Sequence, residues 1–431
     1  MFILIYNISI FPQIEKHDTI KTSNLLSIWK TYTEYLIYTF NLFINKENVN
    51  MKEFSLKTKI YFGEGALNKL SEISNKRVLI ICDKFMETSG MAKKVEEKLN
   101  ECKVSIFSDI VPDPSVEIVA SGVQKLRECD GDIIIALGGG SSIDGAKAIR
   151  EFYKNLSGDS NKNIEFYAIP TTSGTGSEVT EYAVITNKAE NLKYALTNKD
   201  LLPDVAILDA ELVKSVPKSI TADTGMDVIT HAIEAYVSNN ATDFSDALAE
   251  KALSLAFNYL KDAYTNGEDL VAREKLHNAS CLAGMAFNFA GLGITHSLAH
   301  AIGGKLHIPH GKANAIILPY VIEFNANINN NCYMQEYDLA AKKYQRLAKN
   351  LDMNASNVFI GVNNLVRNII SLKKELNIPS TLKELNVDID LTNEVKEEII
   401  TAALEDVCTK ANPRAVSKAD LEKLLDKIIG I

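Results

Sequence analysis

Six of the seven histidines in this 431-residue chain fall between positions 231 and 310, and that clustering is the first sign of chemistry. In TADTGMDVITHAIEAYVS (221–238), Asp227 and His231 stand four apart, so a helix projects both from one face. GLGITHSLAHAIGG gives His296 and His300 the same spacing, and HIPHGKANA sets His310 between Pro309 and Gly311. A carboxylate and several imidazoles suit a borderline divalent ion, and iron, zinc and cobalt all accept that set. The lack of a nearby cysteine argues against a thiolate site. One aspartate and three neutral imidazoles leave a residual positive charge, which would stabilise an alkoxide while a position stays open for substrate oxygen. Taken singly, a helical histidine is more often a hydrogen-bonded surface residue, and an Asp/His pair more often a helix-stabilising contact. The conjunction decides: four histidines crowd into fifteen residues flanked by Leu292, Ile294, Leu298 and Ile302. Unpaired imidazoles in such a setting would be costly. His277, His307 and Cys281 have no such partners and read as structural.

A second feature is a glycine turn. DIIIALGGGSSIDGAKAI runs from a buried strand into Gly138, Gly139 and Gly140, then Ser141 and Ser142, with Asp144 expected in the first turn of a helix. Glycines admit positive φ and close backbone approach, and a helix start offers free N–H groups to a pyrophosphate. The run does not fit GxGxxG, and a ligand-free strand-to-helix turn is its plain alternative. AIPTTSGTGSEVT (168–180) adds a second polar loop, with Thr171, Thr172, Ser173, Thr175 and Ser177 around two glycines. Hydroxyls at a strand's carboxyl end suit a ribose–phosphate backbone; helix capping by Ser177 or Thr175 is the alternative. Asp83, closing the run RVLIIC, stands where an acid can bond a ribose diol and repel a 2′-phosphate.

These residues need elements to hold them. From 51 to about 217, β-branched runs (77–82, 103–110, 132–137, 164–170) alternate with helical stretches, including 91–101. That alternation predicts a parallel, doubly wound α/β sheet, a dinucleotide-binding domain over 51–217. After Pro217 strand signals cease, and helical periodicity over 220–262, 271–303, 333–350, 355–375, 393–408 and 418–429 predicts an all-α metal-binding domain, 218–431. The 46% hydrophobic and 23% charged composition excludes collagen, wholesale disorder and a polytopic membrane protein. A net charge of −9 argues against a nucleic-acid partner. Six scattered cysteines without a CxxC read as reduced thiols of a cytoplasmic protein.

Residues 1–50 form an atypical leader with no Gly, Ala, Arg or Cys, yet nine of the 33 aromatics. MFILIYNISIF lacks the basic n-region and the cleavage site of a signal peptide, and no run is long enough to span a membrane. We read the leader as translated upstream sequence, with Met51 as the start. An amphipathic helix through Leu25, Leu26, Ile28, Trp29, Tyr32, Tyr35 and Leu36 is the other reading.

The motifs GGGSSID, IPTTSGTGSEVT, GMDVITHAIEAY and THSLAHAIGGKLHIPHGKANAIILP, in that order, closely resemble the iron-containing (group III) alcohol dehydrogenases. The resemblance runs from about Met51 to Ile431. It implies the dehydroquinate synthase-like fold of that family, with Fe2+ (Zn2+ being the alternative) held by Asp227, His231, His296 and His310. It makes His300 a non-ligand beside the nicotinamide. It lines NAD with Asp83, Asp113, Gly138, Gly139, Gly140, Ser141, Ser142, Asp144, Thr171, Thr172, Thr175 and Lys193. Many members carry Asn where Asp113 stands, so the amide donor is lost there.

The wording of the histidine run and of the TKANPRAVSKADLEKLLDKI tail looks most like the fermentative propanol, butanol and propanediol dehydrogenases. No aldehyde dehydrogenase half is found, which separates the chain from the fused enzymes. The resemblance therefore implies hydride transfer between NAD(H) and a small primary alcohol or aldehyde. His300 would relay the proton, in a homodimer or higher homo-oligomer with bacterial microcompartment association. Two rivals are a lyase of the dehydroquinate synthase kind and a non-catalytic scaffold subunit. The lyase would need several cations beside the metal to hold phosphate, and only Lys305 and Lys312 occur between 280 and 315.

Overall fold

The apolar runs of the N-terminal half pair into one parallel sheet in the computed structural model, which describes residues 53–157, 163–187, 192–329, 332–333 and 338–430. The leader, with both readings of it, lies outside the described residues. The sheet strands are β1 (Lys59–Phe62), β2 (Arg77–Asp83), β3 (Lys103–Ile110), β4 (Ile133–Gly138) and β5 (Glu165–Pro170). An antiparallel hairpin, β6 (Tyr182–Asn187) and β7 (Leu192–Thr197), precedes the last sheet strand, β8 (Val205–Leu208). The spatial order is β1-β8-β5-β4-β2-β3. Residues Leu79 to Cys82 and Ile134 to Leu137 are fully buried, as expected for strands covered on both faces. Burying each such Leu or Ile contributes about 1.5–3 kcal/mol.

Helices α1 (Lys84–Thr88), α2 (Met91–Glu96), α3 (Val116–Cys129) and α4 (Gly140–Ser157) cover the sheet. The chain leaves β2 first toward β3, then crosses back to β4 on β2's other side. Strand order therefore reverses between β2 and β4, and the crevice beyond their carboxyl ends is where open α/β sheets take ligands. Asp83 ends one of these strands and Gly138 the other.

From Lys218 onward the chain is almost entirely helical: α5 (Lys218–Val237), α6 (Asp243–Thr265), α7 (Leu270–Ala290), α8 (Ile294–Leu306), α9 (His310–Asn325), α10 (Asp338–Asn350), α11 (Val358–Glu375), α12 (Ile389–Glu394), α13 (Lys396–Glu405) and α14 (Lys418–Ile429). Helix α5 is buried on every side from Gly225 to Val237, packed against α6, α7 and α9. A helix buried all round has no solvent for Asp227, His231 and Glu234, so each needs a partner inside. Among the described residues no single helix is long and apolar enough to cross a membrane.

Several expectations are corrected. Strands β1 and β8 and the β6–β7 hairpin add to the sheet elements read from sequence, and short strands at Ile328–Asn329 and Cys332–Tyr333 interrupt the helical half. The stretch 91–101 is helical only to Glu96. The stretch 220–262 is two helices, because Thr242 starts a new one through a capping box with Ser245. The stretch 271–303 breaks at Gly291, whose φ is 75°. The helix after the glycine run starts at Gly140, so Asp144 sits one turn inside rather than in the first turn.

Candidate active site

Three helices deliver four donors to one point. Asp227 and His231 come from the middle of α5, His296 from the first turn of α8, and His310 is the first residue of α9, where Pro309 caps the helix. Their ligating atoms all lie within 4.8 Å of one another. The Nε2 atoms of His310, His296 and His231 stand 3.7, 3.8 and 3.9 Å from Asp227 Oδ1. Asp227, His231 and His296 are buried, whereas the His310 side chain is 40% exposed and opens the cluster to one side.

Two further side chains organise the donors. Glu234, one turn beyond His231 on α5, accepts from His296 Nδ1 at 2.6 Å, which makes Nε2 the ring's lone-pair nitrogen. The same carboxylate takes the N–H groups of Gly293 and Thr295 at 2.9 and 2.7 Å, so it also satisfies the amino end of α8. On α9, Asn314 Nδ2 donates to Asp227 Oδ1 at 2.7 Å and lies 3.1 Å from the Nε2 atoms of both His296 and His310.

Burial lowers the His296 pKa well below its ordinary value, and His231 and His310 push the same way, so the ring is neutral. Burial alone would raise the Asp227 carboxyl, but His231, His310, His296 and the Asn314 amide outweigh it and hold it low. One carboxylate and three imidazoles around one point form a ligand set suited to a 2+ ion, which binds the deprotonated ring nitrogens. His231 Nδ1 and Asn314 Oδ1 are buried without hydrogen-bond partners, and the latter belongs to the amide that touches three of the four donors. The donors fit iron and zinc alike.

His300 is one turn beyond His296 but outside the quartet. Its ring stacks on His310 with centroids 5.2 Å apart, and its Nδ1 lies 2.9 Å from Asp406 Oδ2.

At the carboxyl edge of the sheet, Gly138 has a φ of 149° and accepts Thr171 N–H at 2.9 Å, which ties the glycine turn to the Ser/Thr loop. A side chain on Gly140 would start 2.7 Å from Thr175 Cγ2, so the two loops meet only because that atom is missing. Asp83 Oδ1 caps α1 through Met86 N–H at 2.9 Å. Gly139, Gly140, Ser141, Thr172 and Thr175 are partly exposed, while Ser142 and Thr171 are buried beneath the turn. Asp144 points away, accepting from Ser177 Oγ at 2.6 Å and Val184 N–H at 3.0 Å, which makes it a support of the loops. Asp113 sits in the exposed turn after β3 in a left-handed conformation that Asp and Asn tolerate. Lys193 lies on β7 opposite Thr186; its side chain is outside the described residues.

The Ser/Thr loop also reaches the helical half. Ser173 Oγ meets His277 Nδ1 at 3.0 Å, and Asn288 Oδ1 accepts Glu181 N–H at 2.8 Å. A Cβ on Gly176 would lie 2.6 Å from Gly284 Cα. Residues 277, 284 and 288 share one stripe of α7. Gly174 packs on Thr224 of α5, three residues before Asp227.

Against known proteins, residues 57–210 match the iron-containing alcohol dehydrogenase family, and residues 221–429 match the C-terminal part of the Fe-containing alcohol dehydrogenase family. A 1-propanol dehydrogenase of Citrobacter freundii is 45% identical over 382 residues, 88% of this chain and 100% of that protein. The chain belongs to the iron-containing alcohol dehydrogenase family. An NADPH-dependent butanol dehydrogenase of Clostridium saccharobutylicum is 38% identical, over 87% of this chain and 97% of that protein. The crystal structure of sulfoacetaldehyde reductase from Bifidobacterium kashiwanohense in complex with NAD+ has a TM-score of 0.76 at 27% identity, covering 88% of this chain and 99% of that one.

Sequence reasoning missed four residues in this iron-containing alcohol dehydrogenase. Glu234 and Asn314 carried a signal, since each is a helical turn from a donor (His231 and His310). Lys147 did too, as a lysine in an apolar helical stretch. It is fully buried, and its Nζ donates to Ser177 Oγ, Thr180 O, Thr180 Oγ1 and Tyr182 O, clamping the Ser/Thr loop to α4. Asp406 carried none. Both lysines counted for the lyase alternative are engaged, Lys305 with Glu398 and Lys312 with Asp223.

Proposed function

We propose that this alcohol dehydrogenase transfers a hydride reversibly between NAD(H) and a small primary alcohol/aldehyde pair of the propanol, butanol or 1,3-propanediol type. The observation that carries the reading is the packing of Gly174 on Thr224. It supports the reading because the loop proposed for the dinucleotide then lies one helical turn from Asp227. The reading divides the chain into a cofactor domain, 51–217, and a metal domain, 218–431.

In this reading Asp227, His231, His296 and His310 hold Fe2+, with Zn2+ as the alternative. An ion held there would supply Lewis-acid polarisation of the substrate oxygen. Glu234 and Asn314 keep the donors aimed. The N–H groups at Gly139, Gly140 and the start of α4 receive the pyrophosphate, Asp83 the adenosine ribose diol, and Thr172 and Thr175 the nicotinamide side. Asp406 orients His300, whose Nε2 exchanges the proton at the substrate oxygen. Thr171, Ser141, Ser142, Asp113 and Lys193 complete the proposed cofactor wall, with Asp144 behind it. We place the enzyme in the cytoplasm as a homo-oligomer, with microcompartment association as part of the same reading.

The test is metal analysis of anaerobically purified protein, paired with a short-aldehyde panel under NADH and NADPH. Metal-dependent NADH oxidation with propanal or butanal is the expected result. Metal-replete protein that oxidises neither nucleotide with any aldehyde would overturn the reading.

A further inference from the structure

A second cluster of donors lies beside the first and contains sulfur. His300 of α8, Asp406 and Cys408 offer ligand atoms that all lie within 4.8 Å of one another. Asp406 caps the turn Val407–Ala411 by accepting Cys408 N–H on Oδ1 at 2.8 Å, which fixes the carboxylate and the cysteine in one rigid unit. Its Oδ2 faces His300 Nδ1 at 2.9 Å. Ser297 Oγ stands 3.5 Å from Oδ1 and itself receives the Thr409 hydroxyl at 2.8 Å, so a polar layer backs the group. The His300 side chain is 40% exposed, which leaves a route from solvent.

The chemistry differs from that of the Asp227 quartet. One thiolate, one carboxylate and one neutral imidazole sum to two negative charges, so a 2+ ion makes the site neutral, which suits its half-buried position. Sulfur selects zinc and cadmium over hard cations. Three protein donors leave solvent positions on the ion, and binding releases the Cys408 thiol proton to water. We propose that His300, Asp406 and Cys408 form a second, thiolate-containing site that takes zinc-class ions in excess of the first and, by tying up the His300 ring, arrests turnover reversibly. The inhibitory part rests on the proton-relay reading of His300; the binding part does not.

The test uses the full-length, iron-loaded protein under anaerobic conditions, titrated with Cd2+ and, separately, with Zn2+. The Asp227 quartet has no sulfur, so the ultraviolet thiolate-to-cadmium charge-transfer band reports only a cysteine-containing site. Expected is one band-forming equivalent per chain, with inhibition of aldehyde reduction following the same titration and reversing on dilution. Cys408→Ser should keep the basal rate, lose the band, and raise the inhibitory Zn2+ concentration about tenfold or more. His300→Ala should weaken the Cd2+ band independently of any rate, while Cys102→Ser, remote in sequence, should leave it intact. A band that survives Cys408→Ser, or no band in the unmodified protein, would sink the proposal. A band that follows Cys408 while turnover stays unchanged would sustain the site and overturn the role given to His300.

Discussion

Glu234 Oε2 lies 2.6 Å from His296 Nδ1 while the same carboxylate receives two N–H groups at the start of α8. One side chain therefore fixes both the tautomer of a donor and the end of the helix that carries it. Glu234→Gln keeps the size but turns an amide donor toward groups that already donate. Chelator competition should show metal held about 10- to 100-fold more weakly in this variant. A lower melting temperature should accompany it, because a buried N–H loses its acceptor.

His310 and His300 stack on each other, yet their variants should behave differently. His310→Ala should strip the metal and abolish turnover. His300→Ala should retain metal stoichiometry and lose most of kcat, since its ring nitrogen is directed to Asp406 and not to the quartet. Metal analysis beside steady-state rates separates the two, and equal metal loss would end the four-donor assignment.

Asp83 both caps α1 and faces the crevice, so a glycine there would confound charge with capping. Asp83→Ser keeps a capping oxygen and removes the charge. The unmodified enzyme should prefer NADH, and the variant should gain on NADPH in kcat/KM with little change in melting temperature. Equal use of both nucleotides by the unmodified protein would refute the assignment.

Burial lowers the His277 pKa to about 4. Between that value and the ordinary range near 6.5, the unfolded chain takes up a proton that the folded one refuses. Stability from this residue is therefore present above about pH 6.5 and is lost as the pH falls toward 4, a difference of about 3 kcal/mol. Urea unfolding across that window should fall more steeply for the unmodified protein than for His277→Gln. Parallel curves would contradict the buried, neutral state.

A protein starting at Met51 should bind metal and turn over like the full chain, because every residue placed in the two half-sites lies beyond it. Loss of folding or assembly on removing residues 1–50 would show the leader to be structural.

The quartet was legible because helical spacing and clustering are local: Asp227 with His231, and the His296–His310 run. The glycine turn was legible because a strand running into three glycines leaves few conformations open. The β6–β7 hairpin was not, since Tyr182–Asn187 and Leu192–Thr197 are short strands that pair with each other and not with the main sheet. Glu234 and Asp406 show the other limit. Each acts on a histidine, across 62 residues for His296 and 106 for His300, and only the packing of α5 and of the 406–411 turn against α8 creates those pairs.

Gly176 and Gly284 touch backbone to backbone across the boundary between sheet and helices. Hydride transfer fails if donor and acceptor carbons stand even slightly too far apart. The spacing between the loop proposed to face the nucleotide and the donor-bearing helices is thus gauged at a point where neither segment carries a side chain. A methyl group added at residue 284 would act as a shim, since its Cβ would sit 2.8 Å from Gly176 O. The closeness of the two halves at this boundary depends on two absent atoms.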